Sequence, residues 1–184
     1  MFIIAILITA DQVSKYLSSS YLDGSEKVLF DGILGLTYKE NSGLVFSLGS
    51  NIESIFYISL FVKIIALFIW LMLYKYYITY YRSNTTIRIA NAFFVSCWAG
   101  NLIDLIVFGY IRDMIIWPGP GIPNLADIYF YIGLFLLFNE LVKNPQIDIK
   151  KDIIMCNHKN TLRFLQSFSI FIVSNVKKMF TINR

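Results

Sequence analysis

Charged residues and histidine are scarce in this sequence. Only 15% of its 184 residues are Asp, Glu, Lys or Arg, whereas an average soluble domain has about 25%. The single histidine, His158, lies in a polar segment, so the chain has no Ser-His-Asp triad, no Cys-His pair and no HExxH zinc motif. Catalytic chemistry in this protein would therefore have to use carboxylates, hydroxyls or lysines.

Cysteine is equally rare. Cys97 and Cys156 are far apart in sequence and form no CxxC or metal-binding spacing. They imply no disulfide framework. We expect neither a metal nor another cofactor.

Apolar residues dominate what remains: 57% of the chain is hydrophobic and the mean hydropathy is +0.60. This composition predicts an all-α polytopic membrane protein of one domain. Four apolar segments predict transmembrane helices, at about residues 1–22, 54–74, 89–108 and 125–142. They form a predicted membrane domain over residues 1–143, followed by a basic cytoplasmic tail at 144–184.

The first of these helices is the least regular. Its apolar run ends at Ala10 and would cover about 15 Å, half of the hydrocarbon core. The helix must therefore continue through Asp11 and Lys15 if it spans. A cleaved signal peptide and a truncated longer helix are the alternatives.

The segments between the helices predict less regular structure. Alternating apolar and turn residues predict short strands at 28–30, 34–38 and 44–47, which form a small extracytoplasmic sheet. Residues 75–88 are predicted to connect two helices, and residues 109–124 to form a Pro/Gly-rich loop. Glu140 is predicted to lie at the membrane interface. Lys63 is predicted to face the bundle interior or to snorkel. In the tail, helical spacing of five apolar residues predicts an amphipathic helix on the membrane surface (Leu165, Phe168, Ile172, Val176 and Met179).

The distribution of Lys and Arg predicts the orientation. Basic residues accumulate in segment 75–88 and in the C-terminal tail, while 23–53 and 109–124 hold few. By the positive-inside rule, both termini are cytoplasmic and these two loops are extracytoplasmic. Topology thus explains the net charge of +4, and no nucleic-acid partner is expected.

With this orientation, the polar residues of the membrane domain, except Lys63, gather at the extracytoplasmic end. They are Asp11, Lys15, Asn41, Ser42, Gly43, Asn101, Asp104, Asp113, Asn124 and Asp127. Carboxylates at the membrane margin are functional candidates. Structural roles are the alternatives: Asn124 and Asp127 as a helix cap, Asp104 in a structural hydrogen bond, and Asp113 in a surface pair with Arg112.

Two of these carboxylates brought close together could share a proton. The ionised one would act as general base on a water molecule, and the protonated one as general acid. This aspartic-protease chemistry needs no metal and no nucleophilic side chain, which fits the residues available.

Four short motifs carry a family resemblance. They are DQVSK at 11–15, NSGLVFS at 41–47, GNLID at 100–104 continuing to GYIRDMI at 109–115, and PNLAD at 123–127. In this order and topology they resemble lipoprotein signal peptidase (signal peptidase II), a four-span aspartyl protease of the bacterial inner membrane. The resemblance covers about residues 1–143.

The resemblance implies a catalytic pair, Asp113 and Asp127. It implies site-supporting or substrate-binding roles for seven further residues: Asn41, Gly43, Asn101, Asp104, Asn124, Asp11 and Lys15. The implied substrate is a diacylglyceryl-modified prolipoprotein, cleaved just before its lipidated cysteine. Inhibition by globomycin, contact with membrane lipid and a monomeric state are implied as well.

Three positions depart from the family pattern. Leu105 stands where the family usually has Arg, and Met114 and Pro123 each replace a Phe. We hypothesise that Arg112 compensates for the missing arginine. A relative that binds lipidated peptides without cutting them and a small membrane transporter are the alternative functions.

Overall fold

The computed structural model describes residues 2–22, 25–30, 32–42, 55–81, 84–143, 166 and 169–175. The described chain is mostly helical, with a small sheet at one end. The helices are α1 (Phe2–Tyr21), α2 (Ile55–Tyr80), α3 (Thr85–Phe108) and α4 (Leu125–Lys143). The strands are β1 (Lys27–Phe30), β2 (Leu34–Asn41) and β3 (Ile111–Ile116).

Three helices are long and apolar enough to cross a membrane, at Ile55–Thr79, Thr85–Phe108 and Leu125–Lys143. Their outer surfaces carry large exposed apolar side chains such as Phe61 and Phe135, as expected for helices surrounded by lipid. At 20 residues, α1 has a spanning length of about 30 Å. It interrupts its apolar sequence with buried Asp11 and Lys15 and is not among the three candidates, so the fourth span stays a prediction.

Helix α3 is the centre of the bundle, because it packs against α1, α2 and α4. Small residues allow these close approaches: Ala90 and Ala126 are fully buried, and Gly133 of α4 lies against the Phe94 ring. Close packing through small side chains is typical of membrane helices, which lack a hydrophobic driving force between them.

The cytoplasmic-side connection predicted at 75–88 is much shorter than expected. Helix α2 continues to Tyr80 and α3 begins at Thr85. Asn84 caps α3 by accepting a 3.0 Å hydrogen bond from the Ile87 amide, and its side-chain nitrogen donates to Glu140 Oε2 at 2.6 Å. Glu140 is buried within the protein and also accepts a hydrogen bond from the Tyr77 hydroxyl. Its predicted position at the membrane interface stays a prediction.

The sheet is antiparallel with the order β1-β2-β3. Strands predicted at 28–30 and 34–38 are present, whereas the one predicted at 44–47 lies outside the described residues. The third strand comes from the region predicted as a loop. Gly109, with a left-handed φ of 83°, ends α3 and turns the chain into β3, which pairs with β2 from Gly35 to Asn41.

In the C-terminal tail, residues 169–175 are helical. The ring of buried Phe171 lies 5.4 Å from the Tyr76 ring of α2. Among the predicted apolar positions only Ile172 lies in this described segment. The membrane-surface helix therefore stays a prediction.

Candidate active site

Asp113 and Asp127 are held by one shared residue, Asn124. The Asn124 side-chain nitrogen donates to Asp113 Oδ1 at 2.8 Å. Asn124 and Asp127 also cap helix α4 reciprocally: the Asn124 amide donates to Asp127 Oδ2 at 3.0 Å and the Asp127 amide donates to Asn124 Oδ1 at 3.1 Å. The predicted capping interaction is confirmed, and the same contacts fix both carboxylates relative to one helix end.

Two further asparagines complete the hydrogen bonds to these carboxylates. Asn41 at the end of β2 donates to Asp113 Oδ2 at 2.9 Å. Asn101 of α3 donates to Asp127 Oδ1 at 3.2 Å, and its own oxygen accepts a 3.0 Å hydrogen bond from Asn124. Each carboxylate thus accepts hydrogen bonds from side chains of other elements, which restricts its orientation.

The alternative pairing of Asp113 with Arg112 is wrong. Neighbouring residues of a strand point to opposite faces, so Arg112 and Asp113 diverge. Arg112 bonds to Asp104, and Asp113 bonds to Asn41 and Asn124.

The environment of Asp113 disfavours its ionised form. Burial raises its pKa to about 7, and the neighbouring charge of Asp127 adds to this increase. The hydrogen bonds from Asn41 and Asn124 act in the opposite direction. A carboxyl group with this pKa can hold a proton near neutral pH.

Beneath this pair lies a second, fully buried layer of charges. Lys15 lies 2.9 Å from Asp11 and 3.3 Å from Asp104, and Arg112 lies 2.7 Å from Asp104. Lys15 also donates to Asn101 at 3.0 Å, and Asp11 accepts a 2.9 Å hydrogen bond from the Ala126 amide at the start of α4. These contacts connect α1, α3, β3 and α4, so the buried charges hold together the elements that carry the two carboxylates. Asp104 therefore makes the structural hydrogen bonds that were predicted as the alternative to a functional role, to Lys15 and to the Arg112 backbone amide.

A cavity of about 310 Å³ opens beside the two carboxylates. Asn41, Asn101, Asp113, Asn124 and Asp127 contribute to its lining. Most of the remaining lining is apolar or aromatic and includes Ile111, Trp117, Pro123, Phe130 and Tyr131. A mainly apolar pocket with a few convergent polar groups is typical of a binding or catalytic site.

The other predicted site residues lie elsewhere. Asp11, Lys15 and Asp104 belong to the layer beneath the cavity and do not line it. Gly43 lies outside the described residues. Among the described residues, no group of three or more His, Cys, Asp and Glu side chains could hold a metal ion.

Sequence reasoning missed the roles of three residues in or beside the site. Gln12 donates to Asp104 at 3.2 Å and accepts from Arg112 at 2.9 Å; its position inside the DQVSK motif was a usable signal. Lys63 is buried, in agreement with the predicted interior-facing position, but its place in the cavity lining was not predicted. Trp98 also lines the cavity, and nothing distinguishes it in sequence from its apolar neighbours.

The three departures from the family pattern have clear structural positions. Leu105 is fully buried and does not line the cavity. Met114 is buried as well. The Pro123 carbonyl accepts hydrogen bonds from the Met114 and Ile115 amides at 3.2 and 2.9 Å, so it ties the loop before α4 to β3.

Comparisons with known proteins agree with this architecture. The signal peptidase (SPase) II family matches residues 3–143. A lipoprotein signal peptidase of Fusobacterium nucleatum is 33% identical over 144 residues, which cover 76% of this chain and 84% of that protein. One from Borrelia hermsii is 31% identical over 166 residues, covering 79% and 92%. A solved bacterial membrane enzyme shares 25% identity with a TM-score of 0.61, over 77% of this chain and 91% of its own.

Proposed function

The chain belongs to the signal peptidase II family and is an aspartic peptidase, and from this premise we propose that Asp113 and Asp127 are its catalytic pair. The observation that carries the proposal is the sharing of Asn124 by both carboxylates at the edge of one cavity. The reaction is the removal of signal peptides from diacylglyceryl-modified prolipoproteins, just before the lipidated cysteine.

The pair works as one acid–base unit. Asp113, whose pKa is raised to about 7, keeps a proton and polarises the scissile carbonyl. Ionised Asp127 removes a proton from a water molecule, whose oxygen then forms the new bond to the carbonyl carbon. The tetrahedral intermediate collapses as the amide nitrogen takes up the proton that Asp127 removed from water and the C–N bond breaks, which returns both carboxyl groups to their starting states.

The surroundings of the pair suit a lipidated peptide. The cavity is lined mainly by apolar and aromatic side chains, and the outer faces of α2 and α4 expose large apolar residues. The peptide carries the scissile bond to the carboxylates while its acyl chains stay in the bilayer, so the substrate never has to leave the membrane.

The orientation follows from charge. Both termini face the cytoplasm, because Lys and Arg concentrate in the segment around 75–88 and in the C-terminal tail. In this orientation the catalytic pair lies near the extracytoplasmic face of the bacterial inner membrane, where a signal peptide ends after export.

The test is cleavage of a diacylglyceryl-modified prolipoprotein by the purified full-length chain. Asp113→Asn and Asp127→Asn are each expected to lower the rate of signal-peptide release at least about 100-fold, since general acid–base catalysis contributes about that much or more. Glu40→Gln is the matched control, because Glu40 is an exposed acid on β2 that accepts a hydrogen bond from the Tyr38 hydroxyl and does not line the cavity. Full activity of either Asp variant would exclude the pair.

One observation favours a second function, binding of lipidated peptides without cleavage. The position that is usually Arg is Leu105, fully buried, and Arg112 is engaged by Asp104 and Gln12. Specific binding of the lipidated substrate by wild-type protein, without release of a signal peptide, would support this alternative.

A further inference from the structure

Trp98 carries the one buried side-chain polar atom in the described part of the chain that has no hydrogen-bond partner, its indole Nε1. The other two tryptophans of the chain are paired. Trp70 Nε1 donates to Asn91 at 3.1 Å and Trp117 Nε1 donates to the Pro120 carbonyl at 3.3 Å. The missing partner is therefore specific to position 98.

An unpaired buried donor is costly. Removing a polar group from water without a hydrogen bond costs about 1–3 kcal/mol in proteins, and such atoms are rare in native structures. A Phe at this position would bring no unpaired donor. Trp98 is a lining residue of the cavity beside the catalytic pair, so we infer that a bound molecule supplies the acceptor that this N–H lacks.

Lys63 is a second donor in the lining of this cavity. It is buried, lies in the middle of α2 and donates to Ser59 Oγ at 3.3 Å. It forms no ion pair with the carboxylates of the described residues. An ammonium group has three N–H donors, so Lys63 has donor capacity beyond its bond to serine.

The chemistry of the remaining lining selects the acceptor. Asp127, the proposed general base, lines the same cavity, and its negative charge opposes the entry of an anion such as a phosphate. The acceptor must therefore be a neutral oxygen. A diacylglyceryl-modified peptide offers two kinds, the peptide carbonyls and the ester carbonyls of its lipid.

We propose that Trp98 Nε1 and Lys63 Nζ form a donor subsite, contributed by α3 and α2, which binds carbonyl oxygens of the lipidated substrate. This inference rests on the proposed function. It assigns to α2 and α3 a part in substrate specificity that is separate from the acid–base work of the aspartates.

The direct test follows the three indole N–H signals by NMR in the full-length protein labelled with ¹⁵N-tryptophan, in detergent micelles. The ligand is a diacylglyceryl lipopeptide whose scissile bond is replaced by a ketomethylene group, so that it cannot be cleaved. The Trp98 indole proton is expected to move downfield on binding, as it gains an acceptor, while that of Trp70 keeps its position. The signals are assigned with the three Trp→Phe variants.

Kinetics provide the second measurement. Trp98→Phe and Lys63→Met are each expected to raise KM about 2- to 10-fold with little change in kcat, because a hydrogen bond formed in both ground and transition states contributes about 0.5–1.5 kcal/mol. Trp70→Phe and Lys75→Met are the matched controls. Trp70 does not line the cavity and Lys75 is exposed on the same helix as Lys63.

The source of the carbonyl is identified with a substrate that carries a dialkyl ether lipid in place of the diacyl lipid. If the ester carbonyls are bound, the variants lose their KM effect on the ether substrate. If a peptide carbonyl is bound, the effect stays the same.

The proposal is overturned if ligand binding leaves the Trp98 indole signal in place and both variants keep the wild-type KM. This outcome is distinct from failure of the proposed function. A wild-type protein that cleaves its substrate with unperturbed Trp98 and Lys63 retains the function and lacks the subsite, whereas a protein that binds without cleaving can still show the indole shift.

Discussion

Arg112 and Asp104 form a buried ion pair in which the guanidinium nitrogen lies 2.7 Å from the carboxylate oxygen. The Arg112 backbone amide donates to the same carboxylate at 2.9 Å. Asp104 near the end of α3 therefore fixes both the side chain and the backbone of β3 at the residue before Asp113. The position of Asp113, one of the two proposed catalytic carboxyl groups, thus depends on a charge that does not line the cavity.

Breaking this pair is expected to destabilise the protein. Arg112→Met or Asp104→Asn should each lower the free energy of unfolding by about 3 kcal/mol, because one partner of a buried pair stays uncompensated. The double variant should lose less free energy of unfolding than the sum of the two single losses. The difference should be about 0.5–3 kcal/mol, which is the interaction energy of the two residues. Equilibrium unfolding in mixed micelles measures these values.

Arg112→Lys should not restore stability, since a lysine cannot contact both Asp104 and Gln12 with the planar geometry of arginine. Lys27→Met on exposed β1 is the control and should change stability by less than about 0.5 kcal/mol. Strictly additive losses in the double variant would contradict the coupling.

The pKa of Asp113 predicts the alkaline limb of the activity profile. A carboxyl group whose pKa is raised to about 7 is protonated below that pH and ionised above it. If Asp113 supplies the proton, kcat/KM should fall as the pH rises through about 7. Initial rates between pH 5 and 9, with folding verified at each pH, test this; a rate that stays constant up to pH 9 would exclude protonated Asp113.

Gly100 is expected to tolerate no side chain. A Cβ atom at this position would lie 2.5 Å from Asp11 Oδ2, an oxygen that is bound to Lys15. Gly100→Ala should therefore destabilise the protein by about 1–3 kcal/mol, as overpacking does, and lower activity by shifting the start of α4. Thermal denaturation and cleavage assays measure both effects.

Gly133→Ala is the matched control in α4, where the added Cβ would lie 3.1 Å from the Phe94 ring and 3.4 Å from the Ala90 carbonyl oxygen, and near no charged group. A smaller loss of stability is expected there, with activity kept. Equal effects of the two substitutions would show that the contact with Asp11 is not decisive.

Asn84 should affect stability without affecting catalysis. Asn84→Ala removes the cap of α3 and one hydrogen bond to buried Glu140, with an expected loss of about 1–2 kcal/mol. Asn84→Ser keeps a capping oxygen and should recover part of this loss. Thermal denaturation compares the two variants.

The rate of cleavage should stay unchanged in both Asn84 variants. Asn84 begins α3, and Asp104 lies near its other end, about 30 Å away along the helix axis. A specific loss of kcat in Asn84→Ser would show that the two ends of the bundle are coupled.

Much of the helical architecture was predictable, because long apolar segments in a chain with few charges can be buried only as helices in a bilayer. The predicted helix bounds at 54–74 and 89–108 fell short of the structural ones. Helix α2 continues through the tyrosine-rich residues 75–80, and α3 begins with the polar residues of 85–88, beyond the apolar runs. Strand β3 was missed, since Arg112 and Asp113 interrupt its apolar character and the Pro/Gly-rich segment that follows suggested a loop.

The sequence by itself determined the chemical inventory of the site: carboxylates and asparagines in four short motifs, and no histidine-based alternative. Only the tertiary structure decided how these groups pair. Arg112 and Asp113 are neighbours in sequence, yet the strand directs one to Asp104 and the other to Asn124. Contacts between α2 and α3 likewise bring Lys63 and Trp98 into the cavity, because packing joins side chains that no local pattern connects.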